Sequence, residues 1–144
     1  MHFRSRIFIG FVSTIIAAGS LAFATVPANA APAYCPSGNA CTWGDVGYST
    51  SGNTAANIKF TKYIPNYAEW NYAGTSVNGA ETASSLWNNG YSEPAFFYKN
   101  PNKTGASFRL SKGTGDSYMH DSSGAVPGGF QDTLSSAYFQ SFNG

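Results

Sequence analysis

Two runs of the sequence match each other: Glu81-Thr82-Ala83-Ser84-Ser85-Leu86-Trp87-Asn88 and Asp132-Thr133-Leu134-Ser135-Ser136-Ala137-Tyr138-Phe139. Each sets an acid three residues before a serine pair and an aromatic two residues after it, at an offset of 135 − 84 = 51 residues. Upstream, Trp43 in the stretch 41–48 aligns with Tyr98 in the stretch 96–105, an offset of 98 − 43 = 55. The first copy therefore carries a loop four residues longer between its landmarks. A duplication of this length constrains the fold strongly. Each copy is one supersecondary unit that cannot bury its apolar face alone, so the two must pack against each other.

Within the copies the sequence reads as short strands between polar loops. Pro36-Ser37-Gly38-Asn39 is a turn by composition, and residues 40–44 follow it as a strand. Asn57-Ile58-Lys59-Phe60-Thr61 alternates with period two, placing Ile58 and Phe60 on one buried face, with 51–56 as the preceding loop. Residues 65–80, with several Asn and Gly, read as an irregular connection packed by its own aromatics. Residues 95–99 and 107–110 read as a hairpin around a turn at 100–106, with Phe108 and Leu110 inward. Residues 111–129 are loop-rich, and 134–139 close the fold as the last strand. No amphipathic helix of three turns is visible after residue 30. The expectation is an all-β chain, a β-sandwich of two Greek-key motifs, with copies at about 35–90 and 95–140 of one domain spanning 31–144.

Residues 1–30 stand apart as a signal peptide: Arg4 and Arg6 form a positive head, 7–24 an apolar stretch, and Ala28-Asn29-Ala30 a small-x-small cleavage site. Gly10, Ser13, Thr14 and Ser20 dilute the apolar run, so a secreted protein without a membrane anchor is expected. The 144 − 30 = 114 residues that follow make one domain with a small core, helped by nineteen aromatics. Their six Lys and Arg against seven Asp and Glu give a charge of −1, and Lys59, Lys62, Lys99, Lys103, Arg109 and Lys112 are scattered. That distribution argues against a nucleic-acid partner. Cys35 and Cys41, with five residues between them, are expected to form a disulfide in an oxidising compartment. The rival reading, a metal site, needs further ligands, and only His120 remains after residue 30.

Taken together, these residues resemble the βγ-crystallin superfamily, and within it the secreted bacterial branch of metalloproteinase inhibitors. Cys35-Pro36-Ser37-Gly38 followed by Cys41-Thr42-Trp43 is similar to that branch's amino end. Tyr98-Lys99-Asn100-Pro101-Asn102 followed by Gly105 resembles the Greek-key hairpin, and the serine pairs resemble the ends of the family's calcium motif. The resemblance spans about residues 35–139. The chain departs from it at Lys103, where the family has an aromatic, and at Thr50, where it has a glycine. It also has Gln131-Asp132 and Ala80-Glu81 where the motif has two adjacent Asn or Asp residues, and no second cysteine pair to brace an inhibitory loop.

The resemblance implies calcium as the cofactor to test, with Asp132 acting beside Ser84 and Glu81 beside Ser135, the acid of one copy meeting the hydroxyl of the other. The alternative is that these side chains only cap turns. It also implies an extracellular metallopeptidase as partner of a monomeric, non-catalytic inhibitor. Its candidate loop is Lys112, Gly113, Thr114, Gly115 and Asp116, whose glycines and missing disulfide suggest flexibility. A calcium-binding structural domain and a carbohydrate or cell-wall binding module are the alternatives. For the last, Trp70, Tyr72, Tyr67 and Tyr91 are aromatics in polar surroundings. The stretch 116–123 contains Ser, His and Asp, but a triad needs convergence on one reacting centre, and an enzyme is not expected.

Overall fold

Each copy folds as four strands, the third of which leaves its own sheet for that of the other copy. In the computed structural model, residues 30–50 and 56–144 are described; the signal-peptide reading, Ala30 apart, and most of the 51–56 loop lie outside them. The first copy supplies β1 (Asn39–Trp43), β2 (Ile58–Phe60), β3 (Tyr63–Ile64) and β4 (Ser85–Asn89). The second supplies β5 (Ala95–Asn100), β6 (Thr104–Leu110), β7 (Gly115–Asp116) and β8 (Ser136–Phe139). One sheet runs β2-β1-β4-β7 and the other β3-β8-β5-β6, antiparallel throughout. Exchanging β3 and β7 makes each sheet depend on both copies, the interlock that the duplication required.

The register fits the alignment drawn from sequence. Trp43 lies opposite Ser85 and Tyr98 opposite Ser136, so the landmarks are equivalent in space. The surplus length of the first copy falls between its first two strands: Thr42 to Ile58 spans 16 residues, whereas Phe97 to Phe108 spans 11. The two-residue strands β3 and β7 were not anticipated, being too short to show a period. The β5–β6 turn is also tighter than read, since Asn100 already pairs with Thr104.

Period-two alternation sends Ala40, Ile58, Phe60, Leu86, Phe97, Phe108, Leu110, Ala137 and Phe139 into the space between the sheets. Phe97 stacks on Phe108 with centroids 5.3 Å apart and meets Phe60 edge-on at 6.1 Å. Each buried side chain of this kind contributes about 1.5–3 kcal/mol by leaving water. Tyr67 and Tyr72 belong to this core, in contrast to their reading as candidate sugar platforms. Burial pushes both phenols up, Tyr72 to about 12, while its hydroxyl shares a 3.1 Å hydrogen bond with Thr82.

The outer face of the first sheet carries a second cluster of Cys41, Trp43 and Trp87, closed by the Cys35–Cys41 disulfide and edged by Tyr48. Tyr48 packs edge-on against Trp43 at 5.2 Å and Trp87 at 6.0 Å. The second sheet repeats the plan with Tyr98 and Tyr138, and at the position of Tyr48 it has Lys103, whose Nζ lies 4.9 Å from the centre of the Tyr138 ring. The departure at Lys103 is thus a replacement of one covering group by another. An aromatic edge gives way to a cation over the ring, a contact of about 0.5–1 kcal/mol at a partly exposed site.

Candidate functional site

The two serine pairs do different jobs within each pair. The second serine of each holds the folded turn between the first two strands of its copy: Ser85 Oγ donates to Asp45 O at 2.7 Å and accepts from Tyr48 N at 3.1 Å. Ser136 Oγ likewise donates to Asn100 O at 2.7 Å and accepts from Lys103 N at 3.3 Å. These turns need left-handed backbone, with φ of 68° and 56° at Gly47 and Tyr48 and of 55° and 60° at Asn102 and Lys103. A buried hydroxyl that satisfies both ends of the turn offsets that strain.

The first serine of the first pair faces the acid of the other copy, and the acids themselves link the copies through their backbone. Glu81 and Asp132, both with positive φ, cross-link the copies symmetrically: Glu81 N donates to Leu134 O and Asp132 N to Ala83 O, each at 3.0 Å. Ser84 Oγ donates to Asp132 Oδ1 at 3.3 Å, bringing together the first predicted pair. The second is not joined in the same way, for among the described residues no hydrogen bond links exposed Glu81 to Ser135. Calcium takes six to eight oxygens. At the Asp132 site two side-chain oxygens are in place, and Gln131 Nε2 donates to Asp132 Oδ2 at 2.7 Å. Turning that amide by half a turn would present its oxygen instead. Asp132, Ser84 and Gln131 are thus the residues that would hold a calcium ion at this junction, while no hydrogen bond among the described residues joins Glu81 to Ser135. Among the described residues no three His, Cys, Asp or Glu side chains gather to hold a metal.

The stretch 112–116 is not a flexible loop. Gly113 N donates to Asn88 O at 2.8 Å and Asn88 N donates to Thr114 O at 2.9 Å, tying the turn to β4. Gly115 and Asp116 are β7, opposite Trp87 and Leu86. Gly115 is small because it lies against Leu86 O and the Trp87 ring, where a Cβ would collide. The Asp116 carboxylate is buried, accepting from Tyr118 N at 2.9 Å and Val126 N at 3.1 Å. Of the five, Lys112 is exposed, Gly113, Thr114 and Gly115 are partly exposed and Asp116 is buried. In the stretch 116–123, Asp121 accepts from Ser123 N and Oγ at 2.9 and 2.8 Å, which holds its carboxyl below the usual range, and His120 stacks on Tyr118 at 5.0 Å.

The exposed aromatics sort differently. Trp70 is 39% exposed and Tyr63 47%, and they line one shallow groove of about 300 Å³ with Asn39, Lys59, Thr61 and Lys62. Trp70 follows the 3-10 turn Tyr67–Glu69, and its backbone is pinned on both sides: its N–H donates to Tyr67 O at 3.0 Å and its carbonyl accepts from Gly79 N at 2.8 Å. Tyr63 lays one face on Tyr138, with centroids 5.5 Å apart. The Tyr63 ring and the Trp70 backbone are thus held by the fold. Asn39 Nδ2 is directed at the carbonyls of Pro36 and Ser37, leaving its Oδ1 to accept. Tyr91, 77% exposed, rests over Gly38, where a Cβ would come within 2.7 Å of its ring. Sequence reasoning singled out Trp70 and Tyr91 as candidate sugar platforms, but not Tyr63, Lys59, Lys62, Asn39 or Thr61.

No family model matches the chain, and no curated sequence matches it. Among solved structures it is similar to a βγ-crystallin from Ciona intestinalis, with a TM-score of 0.51 and 18% identity over 72% of this chain and 100% of that one. It is also similar to a domain described under "Evolution of the eye lens beta-gamma-crystallin domain fold", with a TM-score of 0.55 and 18% identity over 73% of this chain and 88% of that one. The chain has the βγ-crystallin fold. Within that fold the serines at 85 and 136 and the left-handed turns they hold are explained as architecture.

Proposed function

We propose that this chain is a non-catalytic extracellular domain that binds carbohydrate in the groove between Tyr63 and Trp70. The observation that carries the reading is a pair of exposed rings, one stacked on Tyr138 and the other on a hydrogen-bonded backbone, flanked by the polar side chains of Asn39, Lys59 and Thr61. Sugar rings present apolar C–H faces with hydroxyls around the rim, and such a site matches both: stacking on the aromatics and hydrogen bonds at the edge. Pre-ordering keeps the entropic cost of binding small. The test is retention on insoluble polysaccharides beside Trp70→Ala. Trp70 lies outside the core, so the variant is expected to keep its melting temperature within a few degrees and to lose at least tenfold in affinity. Equal retention of the two proteins would refute the site. Inhibition of a thermolysin-like metallopeptidase by the same preparation, with no polysaccharide retained, would favour the peptidase-inhibitor reading instead.

A second reading rests on the contact between Ser84 and Asp132: calcium held there would stabilise the junction between the copies. At extracellular-type affinities of roughly 10⁻⁴–10⁻³ M, 1 mM calcium contributes about 0.4–1.4 kcal/mol. Thermal melts should rise by about 2 °C or more between chelator and 1 mM calcium, and Asp132→Asn should abolish the rise. Coincident melts for the parent protein would exclude the site.

A further inference from the structure

We infer that the ligand is an acidic polysaccharide chain rather than a neutral sugar, with its anionic units at the Trp70 end and its continuation across Tyr91; the inference rests on the carbohydrate reading above. Two lysines border the Tyr63–Trp70 groove and none of its lining residues is acidic. Lys59 is the outward residue of β2, between buried Ile58 and Phe60. Lys62 is exposed, with Nζ 6.0 Å from the Phe142 ring centre. The nearest acid in sequence to Trp70 is Glu69, which is outside the lining and accepts from Asn66 Nδ2 at 3.4 Å. Among the described residues, neither lysine is paired with a carboxylate. Two ammonium groups beside an aromatic platform match a sugar that carries a carboxylate or sulfate.

The length of the ligand follows from the neighbouring surface. Thr61 borders both this groove and a second depression of about 200 Å³ that holds Tyr91, Gly38 and Glu93, so the two are neighbours on the surface. The Glu93 carboxylate there already accepts from Ser141 N at 2.7 Å and Ser141 Oγ at 3.0 Å. That end is suited to hydroxyls and a stacked ring rather than to further negative charge. Both depressions are shallow, so an occupant lies across them as a chain.

The test is calorimetric titration of the exported protein with a hexameric oligouronate, its dimer, and a neutral hexasaccharide of N-acetylglucosamine. The acidic hexamer is expected to bind at least tenfold more tightly than either of the others. The preference for acid should disappear in the Lys59→Gln/Lys62→Gln double variant and weaken in 0.5 M salt, and the preference for length should disappear in Tyr91→Ala. Both lysines and Tyr91 are exposed, and unchanged melts will confirm that the variants are folded. Equal or tighter binding of the neutral hexamer, lost in Trp70→Ala, would overturn the acidic inference and leave the groove reading standing. Binding of neither hexamer would overturn both.

Discussion

Phe97→Ala is expected to lower the unfolding free energy by about 3–5 kcal/mol, the usual cost of emptying a buried phenylalanine site. Phe97 is fully buried at the centre of β5, between β8 and β6, where it lies opposite Ala137 and Phe108. Its ring links Phe60 of the first copy to Phe108, which in turn meets Phe130 edge-on at 4.8 Å. The cavity would open where the two copies meet, and strands hydrogen-bonded on both sides cannot collapse to fill it. Against a stability of about 5–15 kcal/mol for a domain, the loss is a large fraction. Urea unfolding should show a lower midpoint with an unchanged slope. A loss below about 1 kcal/mol would mean that the sheets do not share this core.

Ser136→Ala is expected to cost about 2 kcal/mol, although it removes a single oxygen, because it leaves Asn100 O and Lys103 N without their partner in a partly buried turn. Ser135→Ala, one residue earlier, is expected to change stability by no more than about 0.5 kcal/mol, as its hydroxyl bridges no such turn. A smaller contrast should hold for Ser85→Ala against Ser84→Ala in the absence of calcium, since Ser85 bridges Asp45 and Tyr48 whereas Ser84 makes the single bond to Asp132. Chemical denaturation of the four variants in chelator measures it. Equal losses within each pair would contradict the division of labour between the serines.

That division marks the limit of what the sequence made legible. The duplication showed where the serines recur and which residues correspond, because equivalent positions must serve equivalent packing. It could not show which serine of a pair points at a turn and which at an acid, since adjacent side chains on an extended segment face opposite ways. The exchange of β3 and β7 was hidden for a related reason: two residues cannot display a period, and their partners lie in the other copy. Glycines misled at 112–116. Gly113, with φ of 71°, serves a turn, but Gly115 is small so that β7 can approach Trp87, and neither makes the segment loose.

The aromatics of the connection at 65–80 were ambiguous by composition. Tyr67 and Tyr72 turn inward, and the hydroxyl of Tyr72 meets Thr82, whereas Trp70 between them turns outward. Polar neighbours in sequence are compatible with either outcome when the polar tip of a buried tyrosine finds a partner. The groove itself is assembled from β1, β2, β3 and the 65–80 connection, so no single stretch announces it. One signal was present, however: the alternation that buried Ile58 and Phe60 already sent Lys59 to the surface.

The three tryptophans provide the most direct measurement of carbohydrate binding at this groove. Trp43 and Trp87 are buried in the cluster behind the disulfide, and Trp70 alone is exposed. In a nitrogen–proton NMR titration with the acidic hexasaccharide, the indole resonance of Trp70 should move progressively and saturate, while those of Trp43 and Trp87 hold still. Saturable shifts at Trp43 or Trp87 with Trp70 unmoved, or no shift at any indole up to millimolar ligand, would contradict the account.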